Sequence, residues 1–557
     1  MSEVAAAPEQ VEESPAPGAA PGPILFSVTV AGVAWAAATA VFLLFRVAAL
    51  LTLPVGGPEV IHLAGAWQAS IGVADERFVP TLFQALSALA FESTTSQAWP
   101  RALALLATAT VPGAVWLLRP VLGNEGALVA LLLLALDPIG LWFGASASAM
   151  GFDGAVSAWL LVLLIRGGEP APVFALAGFA VAVSGPLPLS LAAGWAVVAL
   201  LLRERLDVPK LGNAAGGAAI GILLANAGFG YGFDDMVVPP FDLFAAGFDE
   251  DWSTATTADL LALYAWPIVL PGIAAAGFTL WQRANGEQVE RWRLILVGWL
   301  GVGVAWFVAS AASEQAVPLL ALTMPSALLL GPLLPRVALA MVNADWRWAR
   351  YLLPLAGAAA LLGLAIVVDW ASDGEVGGLR DQALAVTWAL IGIAALVMVG
   401  SQRESRPALA AAGFVVAALA LLPGTLNVAL SPDDEPLPSP VSPHQARVLR
   451  NAAMELAEVE GGTIVVHPDF EKQITWPFRD SGKIVVASRV PLDAAVVIWP
   501  ADAPRPDGLT AVEGNWSLRR DIEAPTGGLL DYLGWFIDRN SAEVRSGGVA
   551  VYSKASQ

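Results

Sequence analysis

The sequence predicts a mainly α, polytopic transmembrane helical bundle of about thirteen spans, followed by a small C-terminal extracytoplasmic α/β domain. Three observations predict it. Hydrophobic residues make up 57% of the 557-residue chain, charged residues only 14%, and the mean hydropathy is +0.66. Apolar runs of roughly 18 or more residues recur, and each can cross a hydrocarbon core about 30 Å thick. After Ser431 the pattern changes to short β-branched runs set between turn residues. A backbone in lipid must satisfy its own hydrogen bonds, so the spans are expected to be helices.

The composition also excludes function classes. The chain has no cysteine, so disulfides and thiolate metal sites are ruled out. Two of its three histidines, His444 and His467, lie far along the chain from His62, which argues against zinc. A net charge of −19 argues against nucleic acid as a partner.

Residues 1–23 are acidic and rich in Pro and Ala, with no Lys or Arg. A secretory signal needs a basic stretch before its apolar core. The segment therefore reads as a disordered cytoplasmic tail leading into an uncleaved first helix. The transmembrane domain is expected over residues 24–430. Its apolar segments begin with Ile24–Leu53, Ala98–Leu118, Gly126–Trp142 and Asp153–Ile165. Val173–Val183 and Leu187–Leu202 follow, hinged at "SGPLP", and then Ala214–Phe229. The last six lie near Leu260–Trp281, Leu294–Ala311, Val317–Met341, Tyr351–Val368, Ala383–Val399 and Ala408–Ala429.

Charge tests this order independently, because short cytoplasmic loops are enriched in Lys and Arg. With the N-terminus inside, the inner loops hold most of the basic residues before Ser431, including Arg119, Arg203, Arg205, Arg283, Arg291, Arg293 and Arg403. The external connections and adjoining helix ends hold Arg46, Arg77, Arg101 and Arg380. The pattern predicts a multi-pass plasma-membrane protein with a cytoplasmic N-terminus and an external C-terminal domain.

Three external regions are long. Residues 54–97 contain "PEVIHLAGAWQASIG" and "PTLFQALSALAFE", each amphipathic and too short to span, so each is expected to lie along the interface. Residues 231–257 form an acidic, aromatic loop. The third is the tail. Residues 431–442 read as a Pro-rich linker. In 443–557, "PHQARVLRNAAMELAEVE" and "GLLDYLGWFIDR" read as helices, and "GTIVVH", "KIVVAS", "AAVVIW" and "GGVAVYS" as strands. No glycine-rich phosphate fingerprint follows the first strand, so no nucleotide is assigned.

Acids at the external face are the first chemical candidates. Glu59 opens the first loop, and Asp153 sits at the outer start of the fourth span. An ionisable group near membrane depth is costly and usually has a partner or a task. Paired carboxylates facing a cavity can deprotonate an acceptor and orient a donor. Pro58 followed by Glu59 also suits a plain first helical turn. His62 lies one helical turn from Glu59 and can share its face. An imidazole there can contact phosphate, relay a proton or simply pack at the interface. Asp137 before Pro138 reads as a helix end. "DEDW" holds Asp249 and Asp251, carboxylates of the kind a divalent cation accepts, although acidic loops also simply stay hydrated. The 21 Trp residues, many near span ends, fit an aromatic belt.

The run from Trp99 to Gly154 resembles the second to fourth helices of polytopic membrane glycosyltransferases of the GT-C fold, which include polyprenyl- and dolichyl-phosphate-mannose–protein mannosyltransferases. The residues that carry the likeness are Arg101, Gly123, Gly126-Ala127-Leu128, Pro138 and Asp153. Glu59 occupies the place of that family's first-loop acidic motif. In the tail, Trp476, Pro477, Phe478, Arg479 and Asp480, followed by a strand, are similar to the outer domain of the prokaryotic flippase-activity-associated branch of surface glycosylation. Two departures stand out. The usual Asp-Glu pair is reduced to Pro58-Glu59, and the arginines common before the second acid are replaced by "ASASAMGF".

The resemblance implies an inverting glycosyltransferase that moves a sugar from a polyprenyl-phosphate donor to a lipid or protein acceptor at the outer face, among membrane lipids. It implies Glu59 as general base, Asp153 as a second acid that orients substrate, and Arg101 as a phosphate contact, with His62 and Trp67 completing the substrate-binding set. No metal is assigned to the site; composition leaves Asp249 and Asp251 as candidate ligands for a divalent cation, with no other cofactor expected. The departures support an alternative: a catalytically silent GT-C-like scaffold that assists lipid-linked sugar flipping or surface glycan assembly.

Overall fold

A computed structural model of the protein describes residues 29–53, 58–72, 81–94, 96–166, 170–202, 208–226, 230, 256–313, 315–336, 421–422, 424–430, 443–474, 476–479, 484–491, 493–512, 516–523 and 543–554. The expected N-terminal tail, the spans at 351–368 and 383–399, most of the last span, the linker and the second tail helix lie outside the described residues. So do Arg77, Arg380, Asp249 and Asp251.

Helix α1, Val30–Thr52, opens on a side-chain cap in which Thr29 Oγ1 accepts from the Gly32 amide at 3.1 Å. It buries Trp35, Ala38, Phe42, Arg46 and Ala49, a stripe at helical spacing, and leaves the rest outward. The external connection contributes α2, Pro58–Ser70, and α3, Leu82–Phe91. The second expected span is two helices, α4 at Ala98–Thr108 and α5 at Val111–Leu122, that together cover 25 residues. The third is broken. Helices α6, Asn124–Ala135, and α7, Pro138–Ala145, meet at 67°. Asp137 makes the break, because its carboxylate caps α7 through the Ile139 amide at 3.2 Å while Pro138 takes the first helical position. Asp137 and Pro138 thus end one helix and start another.

Helix α8, Ala149–Arg166, is followed by the shorter α9, Pro170–Val183, and α10, Pro186–Leu201, and by α11, Val208–Asn226. Helices α9 and α11 pack backbone to backbone, since a Cβ at Gly178 would strike the Ala214 carbonyl and one at Gly217 the Ala175 carbonyl. Without a hydrophobic drive between helices in lipid, such close approach supplies the packing. Helix α12, Thr257–Ala284, contains a π turn at Leu261–Ala265. Helices α13, Arg291–Ser310, and α14, Val317–Leu330, complete the described bundle. Every residue of α14 is buried, so this helix is the centre around which the others stand.

Among the described residues six helices are long and apolar enough to cross a membrane, and seven if the bent α6–α7 pair is one span. The chain is therefore a multi-pass α-helical membrane protein, as the sequence predicts.

The described part of the tail combines one long helix with a mixed sheet. Helix α15, Pro443–Glu460, leads into a mixed sheet of β1 (Thr463–Val466), β2 (Ile484–Val486), β3 (Ala494–Pro500), β4 (Thr510–Ala511), β5 (Trp516–Glu523) and β6 (Glu543–Ser553). The order is β2-β1-β3-β6-β4, with β5 also on β6. Strands β2 and β3 run parallel to β1, and β6 runs antiparallel to β3. Alternation along the strands divides the core. Ile464, Val466, Val496 and Ile498 face Leu449, Ala453 and Ala457 of α15, whereas Val465, Val497 and Tyr552 pack on the other side. The four strands read from the sequence are β1, β2, β3 and β6. Strands β4 and β5 were not anticipated, because polar stretches such as "WSLRRDIE" lack the apolar alternation that marks a strand.

Candidate active site

Four of the residues singled out from the sequence lie on α2, α4 and α8 as two pairs, Glu59 with Arg101 and His62 with Asp153. Glu59, His62, Arg101 and Asp153 are all buried, at 2%, 5%, 5% and 1% exposure.

Glu59 stands in the first turn of α2 and Arg101 in the first turn of α4. Arg101 Nε donates to Glu59 Oε1 at 2.7 Å and Nη2 to Oε2 at 2.8 Å. This is the two-pronged pairing that a planar guanidinium makes with a carboxylate. The Ala147 amide adds a third donor to Oε1 at 2.6 Å, and Arg101 Nη1 holds the Leu53 carbonyl at 2.8 Å. The pair thus ties the end of α1, the start of α2, the start of α4 and the turn between α7 and α8 to one point. Both Glu59 oxygens are taken up in this arrangement.

His62 follows one turn along α2. Its Nδ1 lies 2.7 Å from Gln84 Nε2 on α3, and Gln84 is itself fully buried. The amide donates, so Nδ1 is the acceptor and the ring proton of neutral His62 is on Nε2. The His62 imidazole interacts electrostatically with Asp153.

Asp153 lies in the first turns of α8, against the start of α10. A Cβ at Gly185 would collide with Asp153 Oδ2, so the carboxylate fits only because residue 185 has no side chain. The Gly185 amide faces the carboxylate, but no hydrogen bond of good geometry reaches Oδ2. Two further buried oxygens nearby in sequence lack partners among the described residues: Ser157 Oγ, one turn along α8, and Ser184 Oγ, next to Gly185.

Trp67 is half-buried and packs on the apolar cluster of Val60, Leu63, Ala66, Ala69, Ala88, Phe91, Ala147 and Trp476. Among the described residues no three His, Cys, Asp or Glu side chains group to hold a metal.

No family model matches the sequence, and no curated protein matches it. Similar solved structures do exist. One is ArnT from Cupriavidus metallidurans, solved apo and bound to undecaprenyl phosphate. Each state is 13% identical, covers 94% of this chain and 98% of the other, and has a TM-score of 0.48. Another is the arabinofuranosyltransferase AftD from Mycobacteria, at 15% identity over 94% of this chain and 40% of that one, with a TM-score of 0.43.

The structure also contains a mostly apolar chamber with two buried charged residues, Arg46 and Asp137, in its wall. Arg46, buried within α1, donates to the Phe42 carbonyl at 3.2 Å and the Leu134 carbonyl at 3.3 Å, and its Cζ lies 3.4 Å from the Phe42 ring centre. Its Nε has no partner among the described residues. Asp137 interacts with it electrostatically and also accepts from Thr323 of α14 at 2.8 Å. A cavity of about 40 Å³ between them is lined by Thr108, Gly140, Gly151 and Met324 among others, room for a few waters. An ionisable residue well inside an apolar run was the available signal. Arg46 is therefore buried inside the bundle, although its sequence position assigns it to the outer basic set.

Proposed function

We propose that this chain is an integral membrane glycosyltransferase that moves a sugar from a polyprenyl-phosphate donor to a lipid or protein acceptor at the outer face of the membrane. The observation that carries the reading is Asp153, a buried carboxylate whose Oδ2 has no hydrogen-bond partner of good geometry among the described residues and which interacts electrostatically with His62. The sequence likeness of Arg101, Pro138 and Asp153 to GT-C enzymes supports the same reaction class.

Asp153 takes the proton of the acceptor hydroxyl as that oxygen attacks the anomeric carbon, and the polyprenyl phosphate leaves with the electrons of the broken carbon–oxygen bond. The sugar inverts in the single displacement. Glu59 receives three donors, so its part is to fix the geometry of α2 and of the Ala147 turn. Asp153, not Glu59, is the proposed general base. His62 orients Asp153 and is held in register by Gln84.

The scaffold alternative keeps one supporting observation. Arg46 and Arg101, the described members of the outer basic set, are both buried on protein acceptors, although a donor phosphate needs basic groups. One experiment separates the two. Purified protein is given a panel of polyprenyl-phosphate sugars with lipid and peptide acceptors, alongside Asp153→Asn. Transfer by the wild type that falls about 10²-fold or more in the variant supports the enzyme. No transfer by the wild type overturns it in favour of the scaffold, and equal transfer by both removes Asp153 from the chemistry.

A further inference from the structure

Trp476 belongs to the outer domain, yet it is buried (3% exposed) in the membrane domain's external face. Its indole N–H donates to Gln97 Oε1 at 2.8 Å, across 379 residues of sequence. Its ring lies 5.5 Å from that of Phe91 on α3 and packs with Val60 and Leu63 of α2 and with Ala147. On its domain side the Arg479 guanidinium covers it, with Cζ 3.9 Å from the ring centre.

These contacts fall on the elements that hold the buried ion pair. Val60 and Leu63 flank Glu59 and His62 on α2. Gln97 is the residue on which α4 starts, one turn before Arg101. Ala147 gives Glu59 its backbone hydrogen bond. A large rigid side chain with one directional donor suits this task, since the ring fills the slot and the N–H sets its rotation. Helix α2 needs such a cover because its buried face includes an acid and an imidazole.

We infer that the C-terminal domain completes the site, with Trp476 as a positioning residue that clamps α2 and the start of α4 so that Glu59, Arg101 and His62 hold their places around Asp153. The clamp itself stands on geometry. Only its catalytic consequence rests on the glycosyltransferase reading.

The test uses the full-length protein in lipid nanodiscs. Amide hydrogen exchange is followed in peptides from residues 58–70 and, as a control distant in sequence, from residues 291–310. Trp476→Ala is expected to speed exchange in 58–70 by about tenfold or more, with 291–310 unchanged. Trp476→Phe, which keeps the packing and loses the N–H, is expected to restore most of the protection. Unchanged exchange in 58–70 with Trp476→Ala overturns the clamp. If that variant loosens the whole protein, Gln97→Ala decides, because it removes only the acceptor: a local rise in 58–70 supports the clamp and no rise overturns it. On a donor that the wild type turns over, Trp476→Ala is expected to lower kcat with little change in donor KM, and Trp476→Phe to recover it. A protein that turns over no donor but shows the exchange pattern loses the catalytic reading and keeps the clamp.

Discussion

Arg101 and Glu59 meet side-on in a buried, two-pronged ion pair with N···O distances of 2.7 and 2.8 Å. Such a pair is expensive to break from one side, because the remaining charge is stranded away from water. Arg101→Met should therefore destabilise the protein by about 3–5 kcal/mol. Adding Glu59→Gln should return part of that loss. Unfolding midpoints in mild detergent for the two single variants and the double variant check this, and simply additive costs would mean the residues do not act as a pair.

Asp153→Asn keeps the shape of the side chain and removes its ability to take a proton. Turnover should fall about 10²-fold or more with no loss of thermal stability. Glu59→Gln should behave in the opposite way, losing stability first. If Glu59→Gln matches wild-type stability and abolishes turnover while Asp153→Asn is silent, the proposed roles of the two acids are exchanged.

Gly185→Ala tests the same carboxylate from the other side. The new methyl group would meet Asp153 Oδ2, so either the carboxylate or α10 must move. Overpacking of this kind costs about 1–3 kcal/mol. Turnover should drop by an amount near that of Asp153→Asn. A Gly185→Ala protein with full turnover would show that the position of Asp153 is not critical.

Charge alternation along the loops predicts that the sheet domain lies outside. Protease added to wall-stripped cells should remove residues after 431 and leave the Arg283–Arg293 loop intact. Cutting at that loop without permeabilisation would reverse the orientation.

The bundle was legible because membrane helices announce themselves by length and apolarity, and helix ends by Asp-Pro and Gly. The broken third span shows the limit. Asp137–Pro138 marks where the helix stops, but the 67° turn depends on Thr323 and Arg46 gathering around the carboxylate, which no local pattern contains. In the site, Glu59, His62, Arg101 and Asp153 stood out as rare polar groups in apolar surroundings. The proposed division of labour between the two acids did not, because it rests on which of them Arg101 and the Ala147 amide reach. Gln84 and Gly185 were invisible for the same reason: each matters only through one residue distant in sequence. Trp476 was noticed as part of a motif, and only the fold shows what it touches.

The bond between Trp476 and Gln97 also fixes an order of events during biosynthesis. Gln97 leaves the ribosome 379 residues before its partner, which at roughly 5–20 residues per second is about twenty seconds to over a minute. In that interval α2 and α4 are already at the membrane with their external cover still unmade. A chain stopped before the sheet domain can insert its helices but leaves that face open. Under the proposed clamp, that face is covered only after the sheet domain has been made and has docked, so a part made late finishes one made early.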